Sequence, residues 1–109
     1  MFVLLKVAPG VQNGNVVTFD DSQNLWVTAN SSEQLIGIVN GTPDENSEVP
    51  IIFSGVAWVK ASRDIPTQGG FMKVENAGVY TSQTSQFGLI SPAPEGTTRP
   101  AGELVMVTL

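Results

Sequence analysis

The apolar run "LIGIV" at residues 35–39 holds a glycine, Gly37, in the middle of a predicted β-strand. Glycine weakens a strand interior because it adds backbone entropy and packs no side chain. A second run, "FGLIS" at residues 87–91, is interrupted in the same way by Gly88. Two such strands in similar surroundings indicate a duplicated unit. They predict that both glycines are architectural, permitting a sharp bend or a close approach in a small sheet.

Turn residues on either side of these runs divide the chain into similar units. The first unit begins at "VQNGNVVTFD" and closes with "EVPIIF", and the second begins at "IPTQGGFMKV" and closes with "ELVMVTL". The predicted organisation is an N-terminal strand or arm, a first unit, a connecting strand and a second unit, which occupy residues 1–10, 11–53, 54–64 and 65–109. The matched order pairs Trp26 with Tyr80 and Glu48 with Glu103.

Short apolar runs between tight turns predict the fold class. We expect one all-β domain with little or no helix, a small β-barrel or β-sandwich of about 8–10 short strands built from the two units. The length of 109 residues is typical of a single domain. Eleven Gly and seven Pro in so short a chain favour turns over long helices. A closed barrel and a sandwich are equally compatible with this pattern.

Composition excludes several functional classes. Five Lys and Arg stand against ten Asp and Glu, and the net charge of −5 argues against nucleic acid as a partner. The chain has no Cys and no His, which removes the commonest nucleophile, the commonest base and the best transition-metal ligands. We therefore expect no enzyme, no cofactor and no metal site. The N-terminal "MFVLLKVAPG" lacks the basic start of a secretion signal, and Lys6 interrupts its apolar run after Leu5. No apolar segment is long enough to suggest a membrane partner.

Two acidic groups of the chain fall in predicted turns. The pair Asp20–Asp21 has the form of two catalytic carboxylates, but turn carboxylates are usually solvated. The segment "DENSE" at residues 44–48 offers oxygen ligands for calcium without the regular spacing of a calcium loop. Both are interpreted as solvated turns.

Two tryptophans and two basic residues are candidates for contacts. Alternation in "SGVAWVKAS" places Trp58 and Lys60 on one side of a strand, and Trp58 is expected in the core. Trp26 is equally suited to the core and to an interface, because aromatic residues are enriched in both. Lys60 and Arg63 cluster with Asp64, and the three are interpreted either as forming an ion pair across a subunit boundary or as a solvated strand end.

The order of these motifs resembles that of the head decoration, or cement, proteins of tailed bacteriophages. The similarity extends over residues 10–109. The segments that carry it are "GNVVTF" (14–19), "LIGIV" (35–39), "SGVAWVKA" (54–61), "IPTQGGFMKVENAGVY" (65–80), "FGLIS" (87–91) and "GELVMVTL" (102–109). The resemblance implies a structural protein on the outer surface of the virion, assembled in the host cytoplasm. It also implies a homotrimer that stabilises the capsid by linking subunits of the major capsid protein.

The apolar N-terminal strand suggests where such contacts form, because an unpaired apolar edge invites pairing or burial by a neighbour. The candidate contact residues are Phe2, Leu4, Lys6, Trp26, Lys60 and Arg63. Two hypotheses stand beside a capsid-stabilising role. One is a virion-surface module that recognises a host glycan or protein, and the other is an enzyme, which the composition disfavours.

Overall fold

The structure is a computed structural model that describes residues 2–30, 36–66, 70–82, 87–89 and 98–109, with Phe2 and residues 87–89 described by their backbone. The described residues form ten strands and no helix. The strands are β1 (Phe2–Lys6), β2 (Val16–Asp20), β3 (Leu25–Thr28), β4 (Ile36–Val39), β5 (Glu48–Ile52), β6 (Val56–Lys60), β7 (Phe71–Glu75), β8 (Gly78–Thr81), β9 (Phe87–Leu89) and β10 (Leu104–Thr108). The predicted all-β class is confirmed.

The first five strands form one antiparallel sheet in the order β1-β5-β4-β2-β3. The last five form a two-stranded sheet, β10-β6, and a three-stranded sheet, β8-β7-β9, all antiparallel. Strand β9 also contacts β10. Each strand of the first set therefore has a counterpart five strands later with the same neighbours. We call β1–β5 the N-terminal repeat and β6–β10 the C-terminal repeat.

Hydrogen bonds outside the ladders repeat as well, which fixes the residue-by-residue correspondence. Three backbone hydrogen bonds of the N-terminal repeat each have an equivalent in the C-terminal repeat. In the N-terminal repeat the amides of Val7, Ala8 and Ala29 donate to the carbonyls of Ser47, Trp26 and Val16, respectively. In the C-terminal repeat the amides of Ala61, Ser62 and Ser82 donate, in the same order, to the carbonyls of Glu103, Val79 and Phe71. Trp26 is thus equivalent to Val79, one residue from the predicted Tyr80. In this pattern β1 and β6 are each the outer strand of a repeat.

Neither repeat closes into a barrel. A single parallel bridge, Val7 with Trp26, joins the two outer strands of the N-terminal sheet, and Ala61 with Val79 is its counterpart. One bridge is not a ladder, so both sheets remain curled and open. The two repeats pack together in a sandwich-like arrangement, which decides between the two architectures that the sequence allows.

The first hairpins of the two repeats, β2–β3 and β7–β8, have different turns. Strands β7 and β8 are joined by Asn76 and Ala77, whose φ angles of 48° and 62° are both positive. Two positive φ angles in a two-residue loop are those of a type I′ turn, whose twist matches the flanking strands. Strands β2 and β3 are joined instead by the four residues 21–24. Because of this difference in loop length, the predicted pairing of Trp26 with Tyr80 is one residue out of register.

Alternation along the strands produces two apolar clusters. The first lies inside the N-terminal repeat and consists of Val7, Val11, Val17, Trp26, Val39, Val49 and Ile51. The second fills the C-terminal repeat with Ala57, Val59, Ala61, Ile65, Met72, Val74, Val79, Val105 and Val107, and it also contains Val16, Ala29 and Ile38 of the N-terminal repeat. The N-terminal sheet is therefore apolar on both faces, one facing its own core and one facing the C-terminal repeat.

Backbone hydrogen bonds hold the two repeats together. The amide of Val16 donates to the carbonyl of Ala77 at 2.8 Å, and the amide of Ala77 donates to the carbonyl of Ala29 at 2.7 Å. The Ala77 peptide is thus inserted at the base of the β2–β3 hairpin. The amide of Lys60 also donates to the carbonyl of Gly14, at 2.9 Å.

Candidate interaction surfaces

The outward face of β6 and β10 carries the most exposed aromatic side chain described. Along β6, Ala57 and Val59 point into the core, whereas Val56 and Trp58 point outward, and Trp58 is 48% exposed. Met106 of β10 lies opposite Trp58 in the ladder. The prediction that Trp58 belongs to the core is wrong. Val56, Trp58 and Lys60 do share one side of the strand, but the smaller Ala57 and Val59 occupy the space beneath the sheet.

The outward face of β1 is the counterpart of this surface. Each of the two strands pairs with the closing strand of its repeat through five residue pairs, which makes Leu4 equivalent to Trp58 and Lys6 equivalent to Lys60. Leu4 and Lys6 are exposed, as is Val3 on the opposite side of β1. The backbone of Phe2 begins β1, and its side chain lies outside the described residues. We call Leu4 and Lys6 on β1, and Val56 and Trp58 on β6, the two outer strips.

Lys60 joins the two repeats of one chain. Its ammonium Nζ donates a 2.6 Å hydrogen bond to Oε1 of Gln12, and its amide bonds to Gly14 as described above. Both contacts cross between repeats rather than between subunits. The structure therefore gives Lys60 an internal role, and its use at a subunit boundary stays a prediction.

Arg63 is held by an acidic partner within its own repeat. Its Nε donates to Oε2 of Glu75 at 2.8 Å, and its Nη2 donates to Oε1 of the same carboxylate. The guanidinium carbon also lies 4.2 Å from the centre of the Tyr80 ring. These hydrogen bonds raise the pKa of Arg63 and lower the pKa of Glu75. This bidentate ion pair, with its guanidinium stacked on an aromatic ring, holds the 61–65 segment against the β7–β8 hairpin.

Trp26 belongs to the core of the N-terminal repeat. It is 8% exposed, and its ring meets Phe53 edge-on at 5.2 Å and Phe19 at 5.5 Å between ring centres. Because so little of the indole reaches the surface, Trp26 is not suited to anchor a partner. Its place among the candidate contact residues is corrected accordingly. The reason is the curl of the sheet, which brings β3 against the end of β1.

Gly37 has an architectural role that the structure explains. A Cβ atom added at Gly37 would lie 2.3 Å from Cγ2 of Ile51 and 2.9 Å from Cε1 of Phe53. Two core side chains therefore fill the space that any larger residue would need. This is a close approach rather than a bend. The backbone of Gly88 lies in β9, and what would surround a side chain there lies outside the described residues.

The acidic turns are organised by their own carboxylates. Asp20 accepts hydrogen bonds from the amide and hydroxyl of Ser22 and from Gln23, and the Ser22 hydroxyl does most to lower its pKa. Oδ1 of Asp44 accepts the amides of Asn46 and Glu48. These carboxylates shape loops. Within the described ranges, no group of three or more acidic side chains is placed to hold a metal ion.

The exposure of two phenylalanines is not predicted from the sequence. Phe19 lies near the tip of the β2–β3 hairpin and Phe71 begins β7, and both are exposed. Each belongs to an alternating strand, which predicts a buried apolar face. Comparison with the equivalent position in the other repeat is the signal that identifies them, because Phe19 corresponds to Val74 and Phe71 to Val16.

Comparison with models of protein families, with characterised proteins and with solved structures finds no match for this chain. In the part of the chain that the structure describes, no helix is long and apolar enough to cross a membrane.

Proposed function

We propose that the protein is a structural component of a phage virion that decorates the outer capsid surface as a homotrimer and links neighbouring subunits of the major capsid protein. The observation that carries the proposal is the outer strip with Val56 and Trp58. These two large apolar side chains face solvent side by side on one strand. Exposed apolar patches mark surfaces that other proteins cover.

The internal repeat supports a linking role in particular. Leu4 on β1 and Trp58 on β6 occupy equivalent positions and are both exposed. A chain with two similar strips can engage two similar sites on neighbouring capsid subunits. The second contact then forms at a high effective concentration, so that modest individual contacts add up to firm attachment.

The alternative is a virion-surface module that binds a host glycan or protein. The exposed indole of Trp58 favours it, because aromatic rings are common in ligand sites. The surroundings of Trp58 favour a protein partner instead. Its ladder partner is Met106 and its neighbour on the same face is Val56, both on extended strands. An apolar strip of this kind fits a protein surface better than it fits a sugar.

Sedimentation with capsids tests the proposal. Capsids are assembled without this protein from the major capsid protein of the same genome, mixed with the purified chain, and separated on a gradient. We expect the chain to sediment with the capsids in a fixed ratio and the Trp58→Ser variant to bind at least tenfold more weakly.

Val3→Ser is the matched control, because Val3 is also exposed but lies on the opposite side of β1 from Leu4. It is expected to bind like the unchanged protein. A chain that stays at the top of the gradient at every concentration would refute the decoration role, and binding to glycans by the same preparation would favour the alternative.

A further inference from the structure

The two repeats of one chain contribute different surfaces to the contact between them. The C-terminal repeat contributes the tip of its first hairpin, at Ala77. The N-terminal repeat contributes the base of its first hairpin, at Val16 and Ala29. A twofold contact would use the same surface from both partners, whereas this one uses different surfaces. Within the described ranges, each repeat is therefore left with one surface of the pair that no other described residue covers.

Burial at equivalent positions supports this conclusion on the hairpin-base side. Val16 is fully buried at 0% exposure by the C-terminal repeat, whereas its equivalent Phe71 is 46% exposed. The equivalence is set by matching hydrogen bonds, since Ala29 donates to Val16 as Ser82 donates to Phe71. The base of the β7–β8 hairpin is thus an open copy of a surface that is covered in the N-terminal repeat.

Burial supports the same conclusion on the hairpin-tip side. Val74 is 4% exposed in the cluster that also contains Val16, Ala29 and Ile38 of the N-terminal repeat, whereas its equivalent Phe19 is 37% exposed. The lysines of the outer strands differ in burial in the same sense. Lys60 is half-buried against Gly14, whereas its equivalent Lys6 is exposed. The N-terminal repeat therefore presents an uncovered version of the surface with which the C-terminal repeat docks.

We infer that copies of this chain associate head to tail, with the Phe19 end of one copy seated on the Phe71 end of the next. The contact reproduces, between chains, the contact that joins the two repeats within a chain. Its occupant is a second copy, because each open surface is the counterpart of a surface that this same sequence already covers. The two exposed phenylalanines, at positions where the other repeat buries a valine, are the side chains that the contact removes from water.

A contact between unlike surfaces closes into a ring when its rotation allows. The inference rests on the proposed function only for the number of copies. Three chains would place six similar repeats around the ring. The contact itself is argued from burial and holds whether or not the ring binds a capsid.

Disulfide trapping tests the contact, and the absence of cysteine from the chain makes the assay clean. Asp21→Cys places a thiol in the loop equivalent to the Ala77 turn, and Ser82→Cys places one at the position equivalent to Ala29. A mixture of the two single variants is oxidised and separated on a denaturing gel. The inference predicts that cross-linked dimers containing one copy of each variant exceed the homodimers at least fivefold. Homodimers in excess, or no cross-link in the mixture, would overturn it.

Light scattering on substituted proteins measures their association state and tests the contact independently. Phe71→Ser is expected to shift the assembly to monomers at concentrations where the unchanged protein is associated. Trp58→Ser is the matched control, because its side chain is as exposed as Phe71 but lies on an outer strip, and it should leave the association unchanged. Equal effects of the two substitutions, or none from Phe71→Ser, would contradict the inference. Failure of the capsid assay alone would leave both results standing and would count only against the proposed function.

Discussion

Replacement of Gly37 by alanine tests the packing of the N-terminal repeat with a single added carbon. In an unobstructed strand the change from glycine to alanine stabilises by roughly 0.5–1 kcal/mol, because alanine loses less backbone entropy on folding. At Gly37 the added Cβ would lie 2.3 Å from Cγ2 of Ile51, a contact that no relaxed structure contains. Ile51 is fully buried and cannot move into solvent. The sign of the effect is therefore expected to reverse.

The magnitude follows from the cost of overpacking. Forcing an extra carbon into a packed core costs about 1–3 kcal/mol, and a domain of this size loses roughly 4–8 °C in Tm for each kcal/mol. We expect Gly37→Ala to lower the Tm by roughly 5–20 °C in differential scanning calorimetry, and Gly37→Val to lower it further, as the added methyl groups need still more room.

A double-mutant cycle distinguishes steric conflict from other causes. Ile51→Ala removes the atom that the new Cβ would strike, at a cavity cost of about 2–5 kcal/mol. In that background, Gly37→Ala should cost at least 1 kcal/mol less than in the unchanged protein, a coupling typical of residues in contact. Strict additivity, or a Tm for Gly37→Ala equal to that of the unchanged protein, would refute the close-approach account.

Three further outcomes are expected from stability measurements. The Arg63–Glu75 bond lowers the pKa of the Glu75 carboxyl, so its contribution is complete above the ordinary carboxyl pKa and is lost as the pH falls through the lowered value; urea titrations across acidic pH should show a smaller loss in Glu75→Gln. Ala77→Gly should stabilise by about 1 kcal/mol in urea melts, because Ala77 has a φ of 62°. Trp26→Ala should cost about 3–5 kcal/mol whereas Trp58→Ser should change stability by under about 0.5 kcal/mol, and equal losses would contradict their assigned burial.

Much of the fold follows from local signals in the sequence. Turn residues and two-residue alternation predict the closing strands "EVPIIF" and "ELVMVTL" to within one residue at either end. The interruption at Gly37 correctly indicates a constrained position. These features depend on neighbours along the chain, which is why a single sequence is enough to predict them.

The facing of β6 could not be predicted in the same way. Both faces of the strand are apolar, with Ala57 and Val59 on one side and Val56 and Trp58 on the other. Alternation then separates the two sets without saying which is buried. Size misleads here, because the larger side chain faces outward. The choice depends on how much room lies between β6 and the rest of the core, and only the folded structure contains that information.

The hydrogen-bond partners of the charged candidate residues could not be predicted from the sequence either. Lys60 bonds to Gln12, which lies 48 positions earlier, and this bond forms because the two repeats dock. The repeat itself is visible in the sequence, yet the one-sidedness of its internal contact is not. It emerges only when the burial of equivalent residues, such as Val16 and Phe71, is compared.

The most direct test of the proposed decorating role is the temperature at which capsids release their genome. A protein that binds only the assembled shell stabilises it by RT ln(1 + [L]/Kd), about 2.7 kcal/mol per site at a hundredfold excess over Kd. Genome-filled capsids lacking this chain are heated with and without the added protein while dye-accessible DNA is measured. We expect release at a temperature several degrees higher on decorated capsids, and we expect this increase to be lost with the Trp58→Ser variant. Release at the same temperature from bare and saturated capsids would contradict it.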